Sequence, residues 1–187
     1  YPVKKLIFVD RNAKPHATLD VEKMRELLDH KYFPILRGDL ESVIYDSVKG
    51  DVPFRFNTSI TRIDNQPDGV VVEFSNGESQ QYDLVIGADG IHSNVRKQLW
   101  GAESQFNRFL GFYVACSVID NFLGNEDTFY GHFEPNVQAT IFSIGGNQLA
   151  TFFAFRSEKL NVHGRSAQID VLTNVFGSAG WIMPQLL

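Results

Sequence analysis

Residues 82–99, YDLVIGADGIHSNVRKQL, set the expected fold. Leu84 to Ala88 is an apolar run too short for a typical helix and without alternation, which predicts a strand covered on both faces. Asp89-Gly90 is a turn pair, and Ser93 is a suitable N-cap for a helix carrying Val95, Arg96 and Leu99. The expected unit is therefore buried strand, glycine turn, helix, with any ligand at the carboxyl end of the strand. Gly87 and Gly90 allow close backbone approach or positive φ, the free N–H groups of the new helix favour anions, and Arg96 adds a fixed positive charge. Asp89 repels phosphate, so its expected partners are a sugar hydroxyl or the turn's own backbone. By chemistry alone, a nucleotide-type ligand competes with a structural turn bearing a surface arginine.

Upstream, Lys5 to Val9 is β-prone and Asp10 to Pro15 is a turn-forming cluster, so residues 4–18 read as a strand and hairpin. Leu19, Met24, Leu27 and Leu28 make an imperfect helical stripe over residues 19–30, which Phe33-Pro34 ends. A helix is expected from Asp39, as N-cap, to Lys49, with Leu40, Val43, Ile44 and Val48 on one face. Arg37 then sits just before a helix N-terminus, where its charge is unfavourable unless an anion or a carboxylate such as Glu41 is near. Two short strands are expected around Phe54–Phe56 and Ile60–Ile63. A hairpin then runs from Val70–Phe74 to Gln80–Ile86 over a type I′ turn at Asn76-Gly77.

Beyond Gly101 the chain turns to aromatic β-sequence, with strands over residues 109–118, 128–133, 137–144 and 149–155 and a turn at Gly145–Gln148. These predict an antiparallel sheet. Poor alternation in Thr151–Phe155 implies that both faces are covered, one by helices and the other by a ligand or partner. A last helix over residues 166–176 carries Ile169, Leu172 and Phe176. The fold class is α+β, of α/β derivation.

A chain of 187 residues, 43% hydrophobic and with 16 Phe, can bury a real core. Its 22 acidic against 17 basic residues, net charge -5, disfavour nucleic acid. The lone Cys116 leaves no internal disulfide and excludes a Cys-rich metal site, so residence in the cytoplasm is expected. No apolar run is long enough to cross a bilayer, and the first residues lack the features of a signal peptide. The chain opens on Tyr1 and runs straight into strand-like sequence, which reads as a piece of something longer. His92, His132 and His163 are scattered without metal-ligand spacing, and no Gly-x-Ser-x-Gly surrounds Ser93 or Ser117. The Phe-rich strands read first as core. Phe112, Tyr130 and His132 are candidates for the wall of an aromatic substrate pocket.

Two motifs resemble a known family. Gly87-Ala88-Asp89-Gly90 followed by IHSNVR resembles the DG signature of the FAD-dependent aromatic hydroxylases, whose fold is named for para-hydroxybenzoate hydroxylase. Ile35 to Leu40, with Ile44, is similar to that family's arginine-led helix. The resemblance implies part of an FAD-binding Rossmann-like domain and a mostly antiparallel or mixed substrate-domain sheet with helices on one face. Residues 1–30 and 101–187 would belong to the substrate domain and 31–100 to the FAD domain. It further implies FAD as cofactor, NADPH or NADH as co-substrate, and hydroxylation of a small aromatic or polycyclic substrate. Arg37, Asp89 and Gly90 would serve the dinucleotide, Ile60 a backbone contact near adenine, and Arg96 the turn or a pyridine-nucleotide phosphate. A homo-oligomer is compatible with this. The family's Gly-x-Gly-x-x-Gly loop and late Gly-Asp motif are not in these residues, so weak or absent FAD binding is expected of the 187-residue chain. Two alternatives stand: a same-fold FAD-dependent oxidoreductase that does not activate oxygen, and a non-enzymatic β-rich binding module.

Overall fold

The computed structural model describes residues 3–32 and 34–187. In chain order the elements are β1 (Lys5–Val9), β2 (Pro15–Asp20), α1 (Val21–Leu27), α2 (Arg37–Val48), β3 (Ile60–Gln66), β4 (Gly69–Phe74) and β5 (Ser79–Tyr82). There follow α3 (Asn94–Trp100), a 3₁₀ turn at Glu103–Gln105, β6 (Phe112–Asp120), β7 (Thr128–Glu134), β8 (Val137–Gly145), β9 (Gln148–Arg156), α4 (Arg165–Phe176) and α5 (Met183–Leu186). Contacts divide the chain into two compact units, Tyr1–Leu40 with Leu110–Leu187, and Glu41–Phe109.

The first unit is built on a six-stranded sheet in the order β2-β1-β7-β8-β9-β6. It is mixed rather than purely antiparallel, because β1 and β7 run parallel. Period-2 alternation sorts its side chains. Ala139, Ile141, Leu149, Phe153 and Phe155 form one face and are buried against Phe176 of α4 and Met183 and Leu186 of α5. The expectation of helices over one face is met. Gly146 (φ 59) and Asn147 (φ 58) both take positive φ between Gly145 and Gln148, the type I′ geometry that matches strand twist. The early helix is shorter than its stripe suggested: Leu19 belongs to β2, and the Asp20 carboxylate accepts from the N–H groups of Glu22 and Lys23 as the N-cap of α1. Of the expected break at Phe33-Pro34, Phe33 lies outside the described residues.

The second unit holds the three-stranded sheet β3-β4-β5 with α3. Its hairpin turn differs from expectation. Gly77 N–H donates to Phe74 O and Phe74 N–H to Glu78 O, and only Gly77 of the pair takes positive φ, 86°. This is a type I turn followed by a left-handed glycine, a three-residue loop in place of type I′. Phe54 to Phe56 form no strand. Phe54 and Phe56 instead pack with Tyr45, ring centroids 4.9 and 5.8 Å away. α2 starts at Arg37, so Arg37 opens the helix and Asp39 lies in its first turn rather than capping it.

The largest departure is Leu84–Ala88. It forms no strand, and Leu84 and Ile86 are 71% and 78% exposed. β5 ends at Tyr82 because its partner β4 begins at Gly69, the residue before Val70, which pairs with Tyr82. Among the described residues no strand pairs with the apolar run beyond that point, and a buried strand needs neighbours to complete its ladder. α2 shows the same pattern: Leu40, Val43 and Ile44 share the expected face but are 43–64% exposed.

Candidate functional site

The turn after Leu84–Ala88 is organised by one carboxylate. Asp89 Oδ1 accepts from Ser93 Oγ at 2.5 Å, and Oδ2 accepts from the N–H groups of Asn94 at 2.7 Å and Val95 at 3.0 Å. Ser93 Oγ in turn accepts from Arg96 N–H at 3.0 Å, so α3 begins with both a serine cap and an anion at its positive end. These bonds, the Ser93 hydroxyl first, hold the Asp89 pKa down at about 2. Of the two partners foreseen for this carboxylate, the turn's own backbone is the one it has.

Gly90 stands at φ +79 with no heavy atom within 4 Å of where a Cβ would be, so its main chain is open to approach. Gly87 is the reverse: a Cβ there would lie 3.0 Å from Val95 Cβ and Cγ1. Glycine is needed at one position for φ and at the other for space.

Arg96 is turned inward on this loop. Its Nη2 donates to Ile91 O at 2.6 Å, and its guanidinium lies 5.4 Å from the Phe106 ring centroid. Its Nε is buried and without a hydrogen-bond partner. Of the two roles implied for Arg96, support of the turn is the one its contacts serve. Next to it, His92 Nδ1 lies 2.9 Å from Glu103 Oε1, and Asn107 Nδ2 donates to the same oxygen at 2.6 Å. The pKa of Glu103 is lowered, chiefly by His92.

Ile60 opens β3, and its carbonyl accepts from Asn94 Nδ2 at 2.7 Å and Gln98 Nε2 at 3.3 Å, pinning α3 to the sheet. Neither Asn94 nor Gln98 stood out in the sequence; the only signal was their spacing of four on one helix face. Arg37 lies in the first unit and Asp89 in the second.

The three candidate wall residues do not share a wall. Phe112 pairs with Arg156, whereas Tyr130 pairs with Ile141 and His132 with Ala139. By parity Tyr130 and His132 point to the face buried by α4 and α5, and Phe112 to the other. His132 is 1% exposed, lies 3.1 Å through Nδ1 from Val9 O, and stacks on Trp181 with centroids 6.0 Å apart. It is a core histidine. The face carrying Phe112 also carries Phe8, Phe129, Phe133, Phe142 and Phe152, with Gln138 and Thr140 as polar members. Phe8 and Phe133 meet at 5.5 Å beside Gly131, where a Cβ would come within 2.6 Å of the Phe133 ring. Alternation along Phe129-Tyr130-Gly131-His132-Phe133 would have revealed this face.

Among the described residues no three or more His, Cys, Asp or Glu side chains are placed to hold a metal ion, and no helix is long and apolar enough to cross a membrane.

A helix-backed mixed sheet and a second unit with a carboxylate-capped glycine turn have solved counterparts. Tetracycline destructase Tet(55) is 26% identical, with a TM-score of 0.84, covering 98% of this chain and 47% of that one. A flavin-dependent monooxygenase of Legionella longbeachae is 35% identical over 183 residues, 96% of this chain and 46% of that protein. An uncharacterized protein of Mycobacterium tuberculosis is 34% identical over 156 residues, 82% of this chain and 42% of its own length. No family model matches. The chain is homologous to the FAD-dependent flavoprotein monooxygenases that its two motifs resemble. It spans less than half the length of these relatives.

Proposed function

We propose that this chain is a central part of an FAD-dependent monooxygenase that consumes NADPH or NADH and hydroxylates a small aromatic or polycyclic molecule in the cytoplasm. The observation that carries the proposal is the turn at Asp89-Gly90, an ionised carboxylate fastening a glycine whose main chain is left open, in a chain 35% identical to a flavin-dependent monooxygenase. The residues fit FAD in a defined way. Gly90 supplies an approachable backbone, Asp89 and Arg96 hold its conformation, and Arg37 is proposed to complete the dinucleotide cradle. Asp89 is thus a positioning residue, because its oxygens are committed to α3. Ile60 has its carbonyl committed likewise, so an adenine contact at this strand would use another main-chain atom.

When bound, FAD supplies the redox chemistry, and the protein supplies binding, orientation and electrostatics. On this reading the aromatic sheet face, from Phe8 through Phe133 and Phe152 to Phe112, stacks a planar substrate and excludes water, while Gln138 and Thr140 provide its few directional polar contacts. No side chain of this face is required as a proton donor or acceptor.

The test is oxygen uptake by the full-length protein with NADPH or NADH and a panel of aromatic compounds. Substrate-dependent uptake with a hydroxylated product is expected. Flavin reduction without oxygen incorporation would replace the proposal with an oxidoreductase of the same fold.

A further inference from the structure

The two edges of the six-stranded sheet are unlike. β2 (PHATLD) is six residues long, exposed throughout, carries Pro15, and its register with β1 breaks at Phe8/Val9. Those are the devices that keep an edge from recruiting another strand. β6 (FYVACSVID) is nine residues long with an unbroken register to β9, no proline and no charge before Asp120.

Its free side can be read residue by residue. Gly111 O accepts from Ser157 N–H and Asn121 N–H donates to Asn147 O, so the odd-numbered residues hydrogen-bond to β9. Phe112, Val114, Cys116, Val118 and Asp120 therefore turn their N–H and C=O groups away from the sheet. Phe112, Val114 and Val118 are 56%, 65% and 53% exposed. On the other face, Tyr113, Ala115 and Ile119 join Leu160, Ile169 and Leu172 in lining a groove of ≈ 710 Å³ along this edge. A row of unpaired peptide groups flanked by apolar side chains on both faces is what an added β-strand satisfies.

We propose that β6 is an internal strand in the whole protein, covered by a seventh strand from polypeptide outside these 187 residues, whose apolar side chains fill the groove beside α4. The material exists in the relatives: this chain covers 46% of the Legionella monooxygenase and 47% of Tet(55). A strand on the same polypeptide is favoured over a second copy because its attachment avoids the translational and rotational cost of association. The inference rests on the proposed function only in requiring a longer protein.

Residue-resolved hydrogen exchange on the full-length protein tests it. The amides of residues 112, 114, 116, 118 and 120 are expected to exchange within about tenfold of their odd-numbered neighbours, independently of protein concentration. Exchange at least about 100-fold faster than those neighbours would mean an open edge and overturn the proposal. Protection that fades on dilution would assign the edge to a second copy and overturn it equally. Visible flavin absorbance of the same sample reports separately on the proposed function.

Discussion

Asp89 does its work by being ionised. Its pKa is lowered in the folded protein, from 3.8 to about 2, so the contribution it makes to stability is present above the unfolded value and is lost as pH falls from about 3.8 through about 2. Urea unfolding between pH 6 and pH 2 is expected to show the midpoint falling with pH more steeply in the native protein than in Asp89→Asn. Equal slopes would mean that the carboxylate is not coupled to α3. The second residue-scale expectation concerns space. Gly87→Ala drives a methyl into Val95, which is 8% exposed, and overpacking of this kind costs about 1–3 kcal/mol. In a Val95→Ala background the same substitution is expected to cost much less, read as a coupling energy in a double-mutant cycle. Asp89-Gly90 and Ser93 were legible in the sequence because capping is local chemistry. The purpose of Arg96 was not, since Ile91 O and Phe106 become its partners only after the loop has folded back.

At the scale of elements, helices held by a cap and by packing behave differently. α3 is seven residues long, too short to persist alone, and relies on Ser93, Asp89 and the double bond to Ile60 O. Ser93→Ala is expected to cost about 1 kcal/mol and to speed exchange at the Arg96 amide, measured by denaturant unfolding and NMR. α4 depends instead on Phe176, fully buried against Phe153 and Phe155, and Phe176→Ala is expected to cost about 3–5 kcal/mol. Strand pairing was foreseen where apolar runs had local turns between them, as at Gly145–Gln148. It was missed at Phe54–Phe56, where aromatic composition imitates a strand but the rings close on Tyr45 of a helix. Parity was the costlier oversight, because Phe112, Tyr130 and His132 were grouped by residue type although strand register assigns them to two faces.

For the whole molecule, three apolar surfaces await cover: the Leu40, Val43, Ile44 face of α2, Leu84 with Ile86, and the free edge of β6. A flavin titration of the 187-residue chain, followed by fluorescence, is expected to show weak or no binding, because these residues contain no Gly-x-Gly-x-x-Gly loop to seat a pyrophosphate on a helix N-terminus. Tight stoichiometric uptake would show that the Asp89-Gly90 turn and its unit suffice. By itself the sequence determined the glycine turn, the capped helix behind it, the aromatic sheet and the family likeness, all of which follow from residues near one another in the chain. Only the tertiary structure decided that Leu84–Ala88 stands without a partner, that Asp89 spends its oxygens on α3, and which sheet face each aromatic joins. Those outcomes depend on which distant segments supply hydrogen bonds and contact area, and no local pattern of residues encodes that.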